Sequence, residues 1–209
     1  MEKVRIAMIG VGAISGIYLK NITNVFKEVE LVGVCDLIPE RAEKGVQTVK
    51  EYIEAGAKAP VPKIYKDMYE AFNDPEVEVI LNLTRPYEHY GVTKAALEHG
   101  KHVICEKPLS AHAKDVAELQ ALAKERGLIY LEAIMFMHLP QRKLLEEALK
   151  KIGDISAAKI DFCQRSSKYD AYLAGSLPNI FNPALETGAL MDLGVYCVYP
   201  ALYLFGKPQ

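Results

Sequence analysis

The sequence has no C-x-x-C pair, no H-E-x-x-H run and no excess of either charge. Its four cysteines, Cys35, Cys105, Cys163 and Cys197, are scattered, which argues against a zinc ribbon or a redox pair. The five histidines lack metal-ligand spacing, so no metal site is expected. Lys and Arg number 25 against 27 Asp and Glu, a net charge of −2. That balance gives no electrostatic footprint for nucleic acid. Fourteen glycines and 11 prolines are too few for a collagen-like or low-complexity chain. With 50% hydrophobic residues and so small a net charge, disorder is excluded as well. A chain of 209 residues can bury a core without disulfides, so the cysteines read as reduced thiols in a cytoplasmic protein.

Long membrane-spanning runs are missing too. The N-terminus, MEKVRIAMIGVGAISGIYL, has the charge-then-apolar order of a secretion signal but no clean cleavage site. A buried strand followed by a glycine turn explains it better. The stretch from Gly188 to Gly206 holds one charge, Asp192. Its uncharged run, Leu193 to Phe205, falls short of the ~20 residues a spanning helix needs, and Pro200 interrupts it. A buried core helix is the expectation there.

What is present is an alternation of short apolar runs and helical patterns. Strands are expected at 4–10, 30–36, 77–83, 102–106 and 128–134. Helices are expected at 14–26, 39–55, 65–73, 87–99 and 110–126, with a loop at 56–62. Pro39 suits a first helical turn, Ser110 is read as an N-cap, and Gly127 as the glycine just past a helix end. Such alternation implies βαβ units and a parallel sheet covered on both faces. Beyond a helix at about 140–152 the pattern changes. Residues 155–164 alternate like a half-exposed strand, and 165–187 form a long irregular stretch of the kind that is usually functional. Tyr169 and Asn182 there are candidate substrate contacts. The domain boundary is placed at 127, giving domains 1–127 and 128–209.

Four groups of residues carry chemistry. Gly10-Val11-Gly12-Ala13-Ile14-Ser15-Gly16 follows a strand and opens a helix. Gly10 allows the tight turn, and Gly12 lets the backbone approach a pyrophosphate at the helix N-terminus. Ser15 stands where a third glycine is usual. Asp36 ends the second strand about 20 residues on, the spacing at which a carboxylate meets ribose hydroxyls. A carboxylate there repels a 2′-phosphate, so NAD is expected over NADP. Cys105-Glu106-Lys107-Pro108 sits at the C-terminal end of a strand, where ligands bind in open α/β sheets. Proline restricts Lys107, so the ammonium is presented on a stiff backbone. Finally, Asp192 and Tyr196 are four apart and share one helix face within the most apolar segment, where a lone carboxylate needs a partner. Lys107 or a substrate hydroxyl would serve.

These residues resemble the Gfo/Idh/MocA oxidoreductase family, which includes glucose–fructose oxidoreductase and inositol dehydrogenase. The most specific marks are GKHVICEKPLS (100–110), TGALMDLGVY (187–196) and LNLTRPYEH (81–89). The resemblance implies an N-terminal Rossmann doubly wound sheet followed by an α/β C-terminal domain. It implies that Lys107, Asp192 and Tyr196 are catalytic. It places cofactor contacts at Gly10, Gly12, Ala13, Ile14, Asp36, Thr84, His89, Glu106 and Lys107, with Lys107–Pro108 a cis bond. Tyr196 stands where inositol-dehydrogenase-like members have His. Met137 replaces an Arg common in sugar-active members, and Arg85 replaces a small or apolar residue after Thr84.

The activity so implied is NAD(P)-dependent hydride transfer to or from a secondary alcohol of a polyol, sugar or related diol. Tyr196 is the candidate base, with Lys107 favouring its ionised form; the reverse assignment, Lys107 carrying the proton, is also open. A non-catalytic dinucleotide-binding sensor is the alternative, since fold does not fix function. A small-molecule substrate and a cytoplasmic homo-oligomer are expected, with no nucleic-acid or membrane partner. The residues after 127 hold one clear strand, too few for a broad second sheet. The chain is therefore expected to be the front portion of a longer enzyme, with an incomplete C-terminal domain, and to be poorly soluble and inactive alone.

Overall fold

Strand β1 (Val4–Ile9) sends Ile6 and Met8 to one face of a sheet and Ala7 and Ile9 to the other. That alternation is the two-residue period of a strand, here apolar on both sides. Both faces must therefore be covered. Helices α1 (Ser15–Asn24) and α2 (Pro39–Glu54) cover the first with Leu19, Ile22, Val46 and Val49. Helices α3 (Met68–Asn73), α4 (His89–Glu98) and α5 (Ala113–Glu125) cover the second with Phe72, Leu97 and Leu119. Burying each such side chain contributes about 1.5–3 kcal/mol. The computed structural model describes residues 2–208.

The other strands are β2 (Val29–Cys35), β3 (Lys63–Ile64), β4 (Val79–Asn82), β5 (His102–Cys105) and β6 (Tyr130–Glu132). All pairings are parallel, in the order β3-β2-β1-β4-β5-β6. Chain order reverses between β1 and β4, the point at which doubly wound sheets open a crevice at their carboxyl ends. Because β6 pairs with β5, this first compact unit runs past residue 127 to Glu132.

Local rules account for most element ends. Pro39 is in the first turn of α2, and Gly127 follows α5 with φ of 66°. Two expectations need correction. Ser110 is not the N-cap of α5, which begins at Ala113 after His112. The Ser110 hydroxyl instead donates to Asp115 Oδ2 at 2.9 Å and accepts the His112 amide at 3.0 Å. Residues 65–67 are not helical: Tyr65 packs where a Cβ on Gly33 would lie, and its hydroxyl donates to Asp74 at 2.8 Å. Asp67 caps α3 by accepting the Glu70 amide at 2.9 Å.

The second unit, from Ala133 onward, contains α6 (Gln141–Leu149), α7 (Tyr169–Leu173) and α8 (Val195–Phe205), with short 3-10 turns between. Arg142 ties α6 to α8: its guanidinium lies 4.7 Å from the Tyr203 ring centroid, and Tyr203 donates to Glu146 at 2.5 Å. Residues 155–164 form no strand. A strand needs a ladder partner, and none of the described residues of this unit supplies one. Nor is the apolar segment a fully buried helix, since Leu190 is 74% exposed and Val198, Leu202 and Phe205 are exposed too. Covering such a helix on every side takes neighbours that α6 and α7 are too short to provide.

Candidate active site

The glycine loop is built by close backbone approach. Gly10 has φ of 95°, and a Cβ there would lie 2.7 Å from the Leu83 carbonyl carbon and oxygen. Only glycine fits, so the end of β1 can lie against the end of β4. At Gly12 a Cβ would meet nothing within 4 Å. That open side lies at the N-terminus of α1, where the Ser15 amide donates to Gly12 O at 3.2 Å and the Ile17 amide to Ile14 O at 3.3 Å. Ala13 and Ile14 continue the loop into the helix, and the Ser15 hydroxyl donates to Gly12 O at 2.7 Å. The open space at a helix N-terminus fits a dinucleotide pyrophosphate.

Asp36 continues the crevice at the end of β2. Its side chain is 7% exposed, one oxygen accepting the Val11 amide at 2.7 Å and the other the Ile38 amide at 2.9 Å. Arg41 stands 4.0 Å away. Asp36 thus both braces the glycine loop and presents a carboxylate beside it.

On the other side of the switch point, fully buried Asn82 ends β4. Its Oδ1 accepts the Thr84 amide at 3.2 Å and hydroxyl at 2.7 Å. Its Nδ2 donates to His89 O at 3.2 Å and Thr93 Oγ1 at 3.1 Å. Arg85 is drawn away along the surface by donating to the Tyr87 hydroxyl at 2.7 Å. His89 is 1% exposed, with Nδ1 2.7 Å from Pro108 O and Nε2 3.1 Å from Thr84 O. Burial pulls its pKa below the ordinary value, against the two carbonyls, which favour the charged ring. A neutral ring carries one N–H. The shorter contact assigns it to Nδ1, donating to Pro108.

Glu106 and Lys107 follow β5, and the Lys107–Pro108 peptide is cis. The Glu106 amide donates to Asn82 O at 2.9 Å. Its carboxylate accepts Tyr18 from α1 at 2.5 Å and the Lys107 amide at 3.1 Å. Glu132, at the end of β6, is pushed above the usual carboxylate range by burial; the Leu109 amide opposes this, Glu106 adds to it, and Lys107 opposes it again.

The first unit thus brings together Gly10, Gly12, Ala13, Ile14, Asp36, Thr84, His89, Glu106 and Lys107 along the carboxyl edge of the sheet. Asp192 and Tyr196 belong to the second unit. Asp192 lies in a π-turn, Leu190–Gly194, a widened form often found at functional sites. Tyr196 opens α8 and stacks on Phe162, centroids 4.8 Å apart at 19°. Met137 lies in a 3-10 turn, Met135–His138. Tyr169 stacks on Tyr172, and Asn182 accepts the Ala184 amide at 3.1 Å, closing a turn.

Tyr18, Asn82 and Glu132 were not singled out from the sequence. Tyr18 and Glu132 lie in ordinary helical and strand patterns. Asn82 alone gave a signal: a polar residue inside an apolar run has to find partners when buried. Among the described residues no group of three or more His, Cys, Asp or Glu could hold a metal ion. No described helix is long and apolar enough to cross a membrane.

The sheet order, glycine loop and strand-end carboxylate define a dinucleotide-binding α/β protein. The profile of an oxidoreductase family with an NAD-binding Rossmann fold matches residues 4–134, and the chain belongs to that family, Gfo/Idh/MocA. It is 33% identical over 206 residues to scyllo-inositol 2-dehydrogenase (NADP(+)) IolU of Bacillus subtilis, covering 99% of this chain and 60% of the relative. It is 32% identical over 172 residues to trans-1,2-dihydrobenzene-1,2-diol dehydrogenase of Macaca fuscata fuscata, covering 80% of this chain and 48% of that one. A 3-ketoreductase from Actinomadura kijaniata, solved with NADP and TDP-benzene, superposes with a TM-score of 0.77 at 24% identity. That match covers 98% of this chain and 58% of the other, and shows the fold. The chain spans about half to three-fifths of the length of these relatives.

Proposed function

We propose that this chain serves an NAD-preferring dehydrogenase that moves a hydride between the nicotinamide and a secondary alcohol or carbonyl of a polyol, sugar or related diol. The observation that carries the reading is the Tyr18–Glu106 hydrogen bond, 2.5 Å, which joins the helix of the glycine loop to the turn bearing Lys107. A dinucleotide-binding loop and a lysine at a strand end share one edge of the sheet. Relatives named for inositol and for a diol support a substrate with hydroxyl groups.

When bound, the dinucleotide supplies the hydride acceptor. Gly10, Gly12, Ala13 and Ile14 would hold its pyrophosphate, and Asp36 would take the ribose hydroxyls and disfavour a 2′-phosphate. Thr84 and Glu106 would hold the nicotinamide end, supported by His89. Tyr196 takes the substrate's hydroxyl proton, with Lys107 and Asp192 the other members of the catalytic set. In this reading the intact protein works in the cytoplasm as a homo-oligomer.

The test, on the full-length protein, is calorimetric titration with NAD and NADP, followed by a panel of inositols, sugars and diols read through nicotinamide absorbance. Tighter binding of NAD and turnover of at least one polyol or diol are expected. Binding with no turnover of any panel member would sink the dehydrogenase reading in favour of a dinucleotide sensor. No binding of either dinucleotide would sink both.

A further inference from the structure

We propose that Tyr18 and His89 are positioning residues for Lys107, clamping the turn that carries it from two separate elements. This rests on the reading of Lys107 as the reactive lysine.

The turn is Glu106-Lys107-Pro108-Leu109, and each neighbour of the lysine is tied elsewhere. On the near side, the Glu106 carboxylate accepts the Tyr18 hydroxyl of α1 at 2.5 Å, and the Glu106 amide donates to Asn82 at the end of β4. On the far side, Pro108 O accepts His89 Nδ1 of α4 at 2.7 Å. Loops at strand ends are ordinarily the mobile parts of such folds. A turn that only had to connect β5 to α5 would gain nothing from a fully buried His89 and a half-buried Tyr18 beside it, because a polar group withdrawn from water costs free energy unless it is paired. Both are paired, and to the residues flanking Lys107.

His89 shows the arrangement most clearly. Its ring is 1% exposed, and both nitrogens already face backbone carbonyls, at Pro108 and Thr84. It therefore holds the Lys107 turn from behind through Nδ1, packs against the Thr84 loop and offers no ring nitrogen to a ligand. A site that transfers a hydride needs its groups held to within a fraction of an ångström. The clamp supplies that constraint without touching the reacting atoms.

The test uses His89→Phe, His89→Asn and Tyr18→Phe in the full chain, with the Lys107 backbone amide followed by 15N relaxation. Asn keeps an N–H donor near the position of Nδ1, whereas Phe keeps the ring volume and removes it. In the unsubstituted chain the Lys107 amide is expected to be rigid, with an order parameter of about 0.85. In His89→Phe and Tyr18→Phe it is expected to fall to roughly 0.6. With the substrate found in the panel, kcat should drop at least tenfold with KM little changed. His89→Asn should restore both rigidity and kcat. A rigid Lys107 amide and kcat within threefold in both Phe variants would overturn the clamp. So would equal loss of binding and stability that Asn fails to rescue. Should His89→Phe not fold, Tyr18→Phe, which removes one hydroxyl, decides the matter. Unchanged turnover in Lys107→Ala would sink the reading of the lysine, while the relaxation result still tests the clamp.

Discussion

The Asp36 carboxylate accepts the Val11 amide at 2.7 Å, so the residue proposed to meet the ribose also braces the glycine loop. Its second oxygen, on the Ile38 amide, ties the loop to the start of α2. Asp36→Ala is therefore expected to weaken NAD binding at least tenfold, about 1.4 kcal/mol, and NADP binding by less. The loop brace is lost for both dinucleotides, whereas repulsion of the 2′-phosphate is relieved for NADP alone. Calorimetric titration of both would check this, and an unchanged ratio of the two affinities would contradict it.

Gly10 and Gly12 should separate stability from binding. Gly10→Ala drives a Cβ into the Leu83 carbonyl at a φ of 95°. A loss of roughly 3 kcal/mol is expected in urea unfolding. Gly12→Ala meets no protein atom within 4 Å, so stability should change by less than about 0.5 kcal/mol. Its methyl group would occupy the space left for the pyrophosphate, so dinucleotide affinity should still fall. Equal stability of the two variants would show that the Leu83 contact does not constrain the loop.

His89 gives the fold a pH dependence of known sign. Burial lowers its pKa below 6.5, the value assigned to an unperturbed His. Between the unfolded value and the lower folded one, the unfolded chain binds the proton and the folded chain does not. Its contribution to stability is therefore complete above about pH 6.5 and is lost as pH falls toward the folded pKa. Urea unfolding between pH 7 and pH 5 should show a steeper loss in the unsubstituted chain than in His89→Asn, which has nothing to titrate there. Parallel slopes would refute this.

Thiol reactivity should follow the fold. Cys163 is exposed, while Cys35 and Cys105 are buried. Burial, with Asp67 and Asp36 adding to it, pushes the Cys35 thiol up to about 11. Burial raises Cys105 as well. Thiolates are the reactive form, so a disulfide reagent near pH 8 should label Cys163 first, and Cys35 and Cys105 only after denaturation. Mass mapping of the labelled peptides would settle the order, and early labelling of Cys105 would mean that β5 opens readily.

Lys107→Ala and Tyr196→Phe should each lower turnover at least tenfold. Full turnover in either variant would remove that residue from the catalytic set.

Much of this was legible in the residues because it depends on short-range rules. The β1–glycine–α1 unit, Asp36 at its spacing, Pro39 in a first turn and Gly127 after α5 each follow from backbone sterics or strand period. The misses have the opposite character. Strand β3 is two residues long and exists only because Lys63 and Ile64 pair with Gly33 and Val34. Ser110 had the right residue type for a cap, but its hydroxyl found Asp115 and His112 first. Residues 155–164 alternate correctly for a strand, yet pattern without a partner makes no ladder. Helix α8 is apolar enough to be core, but burial depends on what surrounds it.

By itself the sequence determined the parallel doubly wound unit, its carboxyl-edge crevice and the residues that stand there, because local geometry and chain order suffice for these. Only the tertiary structure decided that Tyr18 meets Glu106 and His89 meets Pro108, on either side of Lys107. Those contacts join α1 and α4 to the turn across 88 and 19 positions of sequence respectively. Hydrogen bonds between residues so far apart have no signature in local pattern; they come into being when the sheet closes and brings its strand ends to one edge.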